Sequence, residues 1–341
     1  MEKRDNPSRA GHTPKLPNNA GKLKSSTARV QSSDVGATCA NQFASASFPP
    51  VCCEHRNCIF PMTREIGGKR TSPLWLVSEV GPPRGILNPP PPTPEEFCLS
   101  LRKPAQSLAE LIDYYWIVTW DLRDHGPHIQ KTLPQPNVHV AFEKGNSHVY
   151  GIVTGRFSRR LEGKSRLFAI KFAPGMFRSF LGESVSQIAN RTRPVCEVFG
   201  REIAVLEQIL TSQAPEDDLV AAADMFFQLR TPEYAERAHF SKRLVRQVLE
   251  ECNLFTVDDL AVRSGTNKRT LQRLFAEYVG VSPKWVIRLY RLHEAVDRLR
   301  SGERLDGAQL AYDLGYFDQP HLINDFKSLT GYTPAQLHDL Q

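Results

Sequence analysis

FTVDDLAVRSGTNKRTLQRLFAEYVGVSP, residues 255–283, carries the signals that decide the fold of the C-terminal third of the chain. Thr256 followed three positions later by Asp259 has the form of a capping box, so a helix begins here and turns Leu260 and Ala261 to its buried side. Gly265 permits a sharp turn, and Asn267 caps a second helix that runs to about Tyr278. Within that helix Leu271, Leu274, Phe275 and Tyr278 fall on one stripe. The small side chain at 261 lets two helices cross closely, and the glycine four residues later lets the chain double back. With apolar residues at 271 and 274, these are the steric requirements of a helix-turn-helix.

Residues 306–334, DGAQLAYDLGYFDQPHLINDFKSLTGYTP, repeat the pattern. Ala261 and Gly265 correspond to Ala311 and Gly315, and Leu271 and Phe275 to Leu322 and Phe326, with one extra residue in the turn. A single A-x-x-x-G is common by chance. Two copies at matched offsets, each closing on Gly-x-Ser/Thr-Pro, are an internal repeat. Between them Ser282 and Pro283 start a helix as N-cap and first residue. Its stripe of Trp285, Leu289, Leu292, Val296 and Leu299 packs the two units. Its ~17 residues span about 25 Å, long enough to set two recognition helices near one ~34 Å turn of DNA apart.

At 100° per residue Arg269, Gln272 and Arg273 share the face opposite the apolar stripe. Arginine can pair with both major-groove acceptors of guanine and glutamine with adenine, while Lys268 at the helix start suits a phosphate. Any surface helix has a solvated polar face, but no acid intervenes from Arg263 to Ala276, which favours contact with DNA. The second unit presents Pro320, Ile323, Asn324 and Lys327, with Gln319 at the helix start. That face can touch a thymine methyl, an adenine or a phosphate, but has no arginine for guanine.

Upstream the pattern changes to strands. Tyr114–Trp120 is β-branched and aromatic, Val138, Val140 and Phe142 alternate with polar or small residues, and 148–153 and 166–172 continue the series. Helices follow over 202–210 and 217–229. Residues 86–230 are therefore expected to form an α+β domain around one core, ahead of an all-α double helix-turn-helix domain at 238–340. His125, His128, His139 and His148 invite a metal site, yet no short His-x-His or His-x-x-x-His spacing joins them, and they read as turn or strand-surface residues. With no nucleophile elbow, phosphate-cradling glycine loop or spaced acid pair, the chain is not expected to be an enzyme or to need a metal or cofactor.

Residues 1–80 read as a disordered tail, polar and without sustained periodicity. The net charge of +6 sits in this region: up to Arg70 there are 11 Lys+Arg against 5 Asp+Glu, while 71–232 and 233–341 balance at 17 and 17, and 15 and 15. Overall basicity therefore says nothing about the C-terminal domain. Four of the seven cysteines, Cys39, Cys52, Cys53 and Cys58, fall in the tail without C-x-x-C spacing, which argues against zinc. No apolar signal core or membrane-length run is present, so a cytoplasmic protein is expected. Met62 can serve as an internal start. The proline run 89–92 is a stiff lead into the folded part.

Residues from about 240 to 340 resemble the DNA-binding domain of the AraC/XylS family of bacterial transcription regulators. The resemblance rests on RTLQRLF at 269–275, AYDLGY at 311–316 and DQPHL at 318–322. It implies promoter binding, control of initiation with RNA polymerase as a partner, and base reading at Arg269, Gln272 and Arg273. Many members carry arginine where this chain has Asn324. The segments LPQPNVH at 133–139 and GIVTGRF at 151–157 look like an N-terminal domain of uncharacterised members. That likeness implies a sensor of a small-molecule effector or a homodimerisation module. Two other classes compete: an alkylation-repair enzyme with a zinc-bound methyl-accepting cysteine, and an interaction module that no longer binds DNA. Deletion of residues 1–80 is expected to leave the folded remainder intact, as judged by an unchanged urea midpoint.

Overall fold

The computed structural model describes residues 76–339, except Pro92, Pro94, Tyr234, Cys252 and residues 302–305, together with two short paired strands, β1 (Glu65–Ile66) and β2 (Lys69–Arg70). The expected disorder of the first sixty residues, the four tail cysteines and Met62 lie outside the described residues. Nine further strands follow: β3 (Leu76–Ser78), β4 (Phe97–Arg102), β5 (Ile112–Asp121), β6 (His128–Thr132), β7 (His139–Phe142), β8 (His148–Tyr150), β9 (Phe157–Leu161), β10 (Lys164–Phe172) and β11 (Thr192–Pro194). Seven of them form one sheet in the order β11-β8-β7-β10-β5-β4-β3, antiparallel except for the β3–β4 pair. A separate ladder pairs β6 with β9.

Alternation along the strands explains how this sheet is used. On β5, Tyr115 and Ile117 point to one face and Trp116, Val118 and Trp120 to the other. The first face joins Phe142, Phe168, Ile170 and Phe172 in a cluster roofed by helices. These are α1 (Arg178–Leu181), α2 (Val195–Phe199), α3 (Ile203–Leu210) and α4 (Glu216–Gln228). Phe172 stacks edge-on against Phe177 at 4.8 Å and Phe227 at 5.5 Å between ring centroids. The other face gathers Phe97, Leu99, Leu101, Val118, Trp120, Leu161 and Leu167. Tyr115, fully buried, donates its hydroxyl hydrogen to Asp224 on α4 at 2.7 Å, tying the sheet to its roof.

The C-terminal helices are α5 (Glu236–Glu250), α6 (Val257–Arg263), α7 (Lys268–Leu274), α8 (Pro283–Arg300), α9 (Gly307–Asp313), α10 (Gln319–Thr330) and α11 (Pro334–His338), with α7 running on as a π turn at Phe275–Val279. Among the described residues no helix is long and apolar enough to cross a membrane.

Two expected boundaries change. The tail does not extend to residue 80, because Leu76–Ser78 pair in parallel with Leu99–Leu101 and Leu76 is buried. Nor does 86–230 enclose one core. The sheet buries both faces, and the cluster on its helical face continues through Leu244 of α5 to Leu271, Leu274 and Phe275 of the first helix-turn-helix. The joint near residue 235 is a chain boundary without a break in packing. A deletion that spares the fold must therefore stop before Leu76.

Among the described residues two histidines are held as neutral rings, His293 buried and His139 half-buried. Burial, with Lys171 nearby, pushes His139 down to about 3. Burial also pushes His293 down to about 3, against the opposing effect of its hydrogen bond to the Pro134 carbonyl at 3.0 Å. Both take up a proton more readily when unfolded, so their contribution to stability is full above the ordinary histidine range and is lost as pH falls towards 3. Each should remove roughly 1 kcal/mol of stability per pH unit below ~6. Urea unfolding between pH 7 and pH 5 checks this, and the His139→Phe, His293→Phe double variant should show a flatter profile.

Candidate nucleic-acid interface

Each helix-turn-helix begins with a satisfied cap. Thr256 accepts from the Asp259 amide while the Asp259 carboxylate accepts from the Thr256 amide, closing the expected capping box. Asn267 accepts from the Thr270 amide at 2.9 Å and starts α7, and Asp318 accepts from the His321 amide at 2.8 Å and starts α10. The turns pass through Gly265 at φ +65° and Gly315 at φ +69°, left-handed values that a Cβ disfavours.

The stripe reading of α7 holds residue by residue. Leu271, Leu274, Phe275 and Tyr278 are buried, and Lys268, Arg269, Gln272 and Arg273 are exposed on the opposite side. The side chains of Arg269, Gln272 and Arg273 make no hydrogen bond or ion pair to other described residues, so three donor-bearing groups share one open face. Lys268 is different: its ammonium lies 2.6 Å from the Asp258 carboxylate, both groups more than half exposed. A surface pair of this kind is worth ~0–1 kcal/mol, so a phosphate can displace the aspartate.

On α10, Leu322, Phe326 and Leu329 are buried while Pro320, Asn324 and Lys327 are exposed and Ile323 is half-buried. Gln319 lies over the start of α9, where a Cβ on Gly307 would come within 2.3 Å of its amide nitrogen. Sequence reasoning did not single out Phe317, which is 95% exposed immediately before the α10 cap. A fully solvated phenylalanine beside a recognition helix is a candidate for apolar contact with thymine methyls, and its position in the extra-residue turn was the available signal.

The two units are fixed to each other. The Gly315 turn rests on the Phe255 ring, where a Cβ would sit 2.6 Å from the aromatic carbons. Arg291 of α8 lies over the Tyr316 ring at 3.9 Å and the Phe255 ring at 5.8 Å. The histidines singled out from the sequence serve other ends. His139 and His148 sit on neighbouring strands but pair with Tyr150 and Ala141, and His125 faces Glu96 at 3.2 Å. The described free cysteines are Cys98 on β4 and Cys196 on α2, on separate elements.

Comparison with known proteins agrees with this geometry. Residues 260–339 match a family described as a helix-turn-helix domain, and residues 101–194 match a domain of unknown function. The F1 operon positive regulatory protein of Yersinia pestis is 36% identical over 86 residues, covering 25% of this chain and 28% of that protein. The helix-turn-helix-type protein YkgA of Escherichia coli (strain K12) is 32% identical over 111 residues, 30% of this chain and 45% of that protein. The chain thus spans less than half the length of the curated relatives it matches. The crystal structure of ToxT from Vibrio cholerae O395 aligns at 16% identity and a TM-score of 0.33, over 72% of this chain and 94% of ToxT.

Fold and site together define a module of two helix-turn-helix units joined by α8. Residues 260–339 are a helix-turn-helix domain of the AraC type, the domain of transcription regulators.

The two turn glycines differ in surroundings, and that difference is measurable. Gly265→Ala should cost only the left-handed backbone, ~1–2 kcal/mol, since nothing lies within 4 Å of its Cβ position. Gly315→Ala adds a clash with Phe255 and should cost a further ~1–3 kcal/mol. Urea denaturation of both variants tests the ranking.

Proposed function

We propose that the chain is a transcription regulator that binds promoter sites on double-stranded DNA through α7 and α10, under modulation by its middle domain. The open face of Arg269, Gln272 and Arg273, on a helix anchored by its buried stripe, is the observation that supports this reading most directly. Arg269 and Arg273 are assigned to guanine, Gln272 to adenine, and Lys268 and Lys327 to phosphates. Gln319, Asn324 and Ile323 read the second half-site, the last through a thymine methyl. Bound at a promoter in the cytoplasm, the chain would act on RNA polymerase. Its middle domain would take up a small-molecule effector or a second copy of the chain, and would perform no chemistry.

α8 suits the role of spacer. Its 18 residues extend about 27 Å. Val286 and Ile287 belong to the cluster of the first unit, and Leu292, Val296 and Leu299 to that of the second.

The two recognition helices should separate by mutation. A bidentate base contact discriminates by ~1–3 kcal/mol, so Arg273→Ala should weaken the cognate site roughly tenfold to a hundredfold and relax preference at particular base pairs. Lys327→Ala should lower affinity for cognate and scrambled DNA alike and reduce the salt slope by about one. Asn324→Ala should do less than Arg273→Ala. Titrations of cognate and scrambled duplexes at two salt concentrations decide it. Loss of specificity in Asn324→Ala with Arg273→Ala unchanged would reverse the assignment of the reading helix.

A further inference from the structure

Between the outer face of the large sheet and the β6–β9 ladder lies a cavity of about 240 Å³. The strand register sorts its floor by polarity. At one end Tyr150, His139, Lys171 and Tyr114 align across β8, β7, β10 and β5. The next row is Ala141, Ala169, Trp116 and Leu101, and the far end is closed by Trp120 beside Phe97. One end is thus polar and the rest apolar and aromatic.

Three lining residues of this cavity, Trp116, Gln135 and His139, hold buried polar atoms without a hydrogen-bond partner: the indole Nε1, the amide Oε1 and the imidazole Nδ1. Buried polar atoms are normally satisfied, so three on one cavity call for a partner. The charges at this cavity, by contrast, are partnered, and the Lys171 ammonium beneath its polar end lies 3.7 Å from the Asp113 carboxylate and donates to the Tyr114 hydroxyl. Arg84 is held by Asp297 and Arg159 by Glu143, and His139 is neutral. An anion entering here would be desolvated without a free counter-charge.

We propose that the cavity binds an uncharged, compact, ring-containing molecule with one hydroxyl-type group, its polar end at His139 and its ring between Trp116 and Trp120. The size follows from the volume, since a cavity of ~150 Å³ takes one benzene and this one takes about ten non-hydrogen atoms.

The same cavity shares a wall with α8. Arg84, Leu133, Pro134 and Gln135 line it. From that wall the Pro134 carbonyl meets His293, the Arg84 guanidinium donates to Asp297 at 3.1 Å, and Leu133 packs in the cluster of the second helix-turn-helix. Filling the cavity therefore moves or stiffens the surface that seats α8, and so biases the spacing of the two recognition helices. This coupling rests on the DNA-binding reading above; the ligand class does not.

The experiment is calorimetric titration of the full chain with 2-naphthol and 2-naphthoate, the same rings with and without charge, beside a DNA-binding titration of each sample. Naphthol should bind at least tenfold more tightly than naphthoate, and saturating naphthol should change DNA affinity at least threefold. Ala141→Phe should abolish naphthol binding by filling the floor. His139→Phe should weaken naphthol about tenfold while leaving naphthalene unchanged, which a misfolded variant would not do. Naphthoate binding as tightly as naphthol overturns the ligand class. No binding of either probe by a chain that still recognises its DNA site overturns the cavity proposal and leaves the DNA reading standing. Naphthol binding without any change in DNA affinity overturns the coupling alone.

Discussion

Helix α8 is packed from three directions, and the relation between the parts of the described structure depends on that. Val286 and Ile287 enter the cluster shared by the sheet's roof and the first helix-turn-helix, while Leu289, Leu292 and Val296 enter the cluster of the second. The third contact is with the middle domain: the Trp285 indole donates to the Thr154 carbonyl at 3.2 Å, and His293 meets Pro134. A helix used this way cannot shift against one neighbour without disturbing the others. Full burial of each such aliphatic side chain stabilises by ~1.5–3 kcal/mol, well above the ~0–1 kcal/mol of a half-exposed pair such as Arg84–Asp297. Apolar packing sets the arrangement, and the polar contacts set its register.

The same packing joins the middle domain to the end of α7. Ser184 donates to the Ala276 carbonyl at 2.9 Å, Arg178 pairs with Glu277 at 3.0 Å, and Gly280 lies against Ile152 and Val185. These contacts hold the C-terminal end of the helix and its π turn. Lys268, Arg269, Gln272 and Arg273, ahead of that turn on the open side, stay in solvent. Open face and anchoring end are thus separated along one helix, which lets the middle domain grip α7 without covering Arg269, Gln272 and Arg273.

Local signals made much of the C-terminal domain legible. Capping residues, the left-handed turn glycines and the 3.6-residue stripe act within a few positions of one another, so Thr256, Asn267, Gly265 and the buried face of α7 could be read directly, and the repeat confirmed them. The large strands of the middle domain were legible for the same reason. What escaped was short or non-local. β4 alternates Phe97, Leu99 and Leu101 with Cys98 and Ser100, a period of two that the preceding proline run obscured. β3 has three residues and is a strand only because Leu99–Leu101 pair with it.

By itself the sequence determined the two helix-turn-helix units, their linking helix and the outward residues Arg269, Gln272 and Arg273, because those depend on helical period and caps alone. Tertiary structure decided that Lys268 is paired with Asp258, that Gln319 is laid over Gly307, and that both faces of the large sheet are buried. It also decided that His139, on a strand that reads as half-polar, is a half-buried neutral ring in a cavity wall. Each of these depends on which strand or helix lies opposite, and that pairing is set by the apolar surface of the whole chain seeking cover from water.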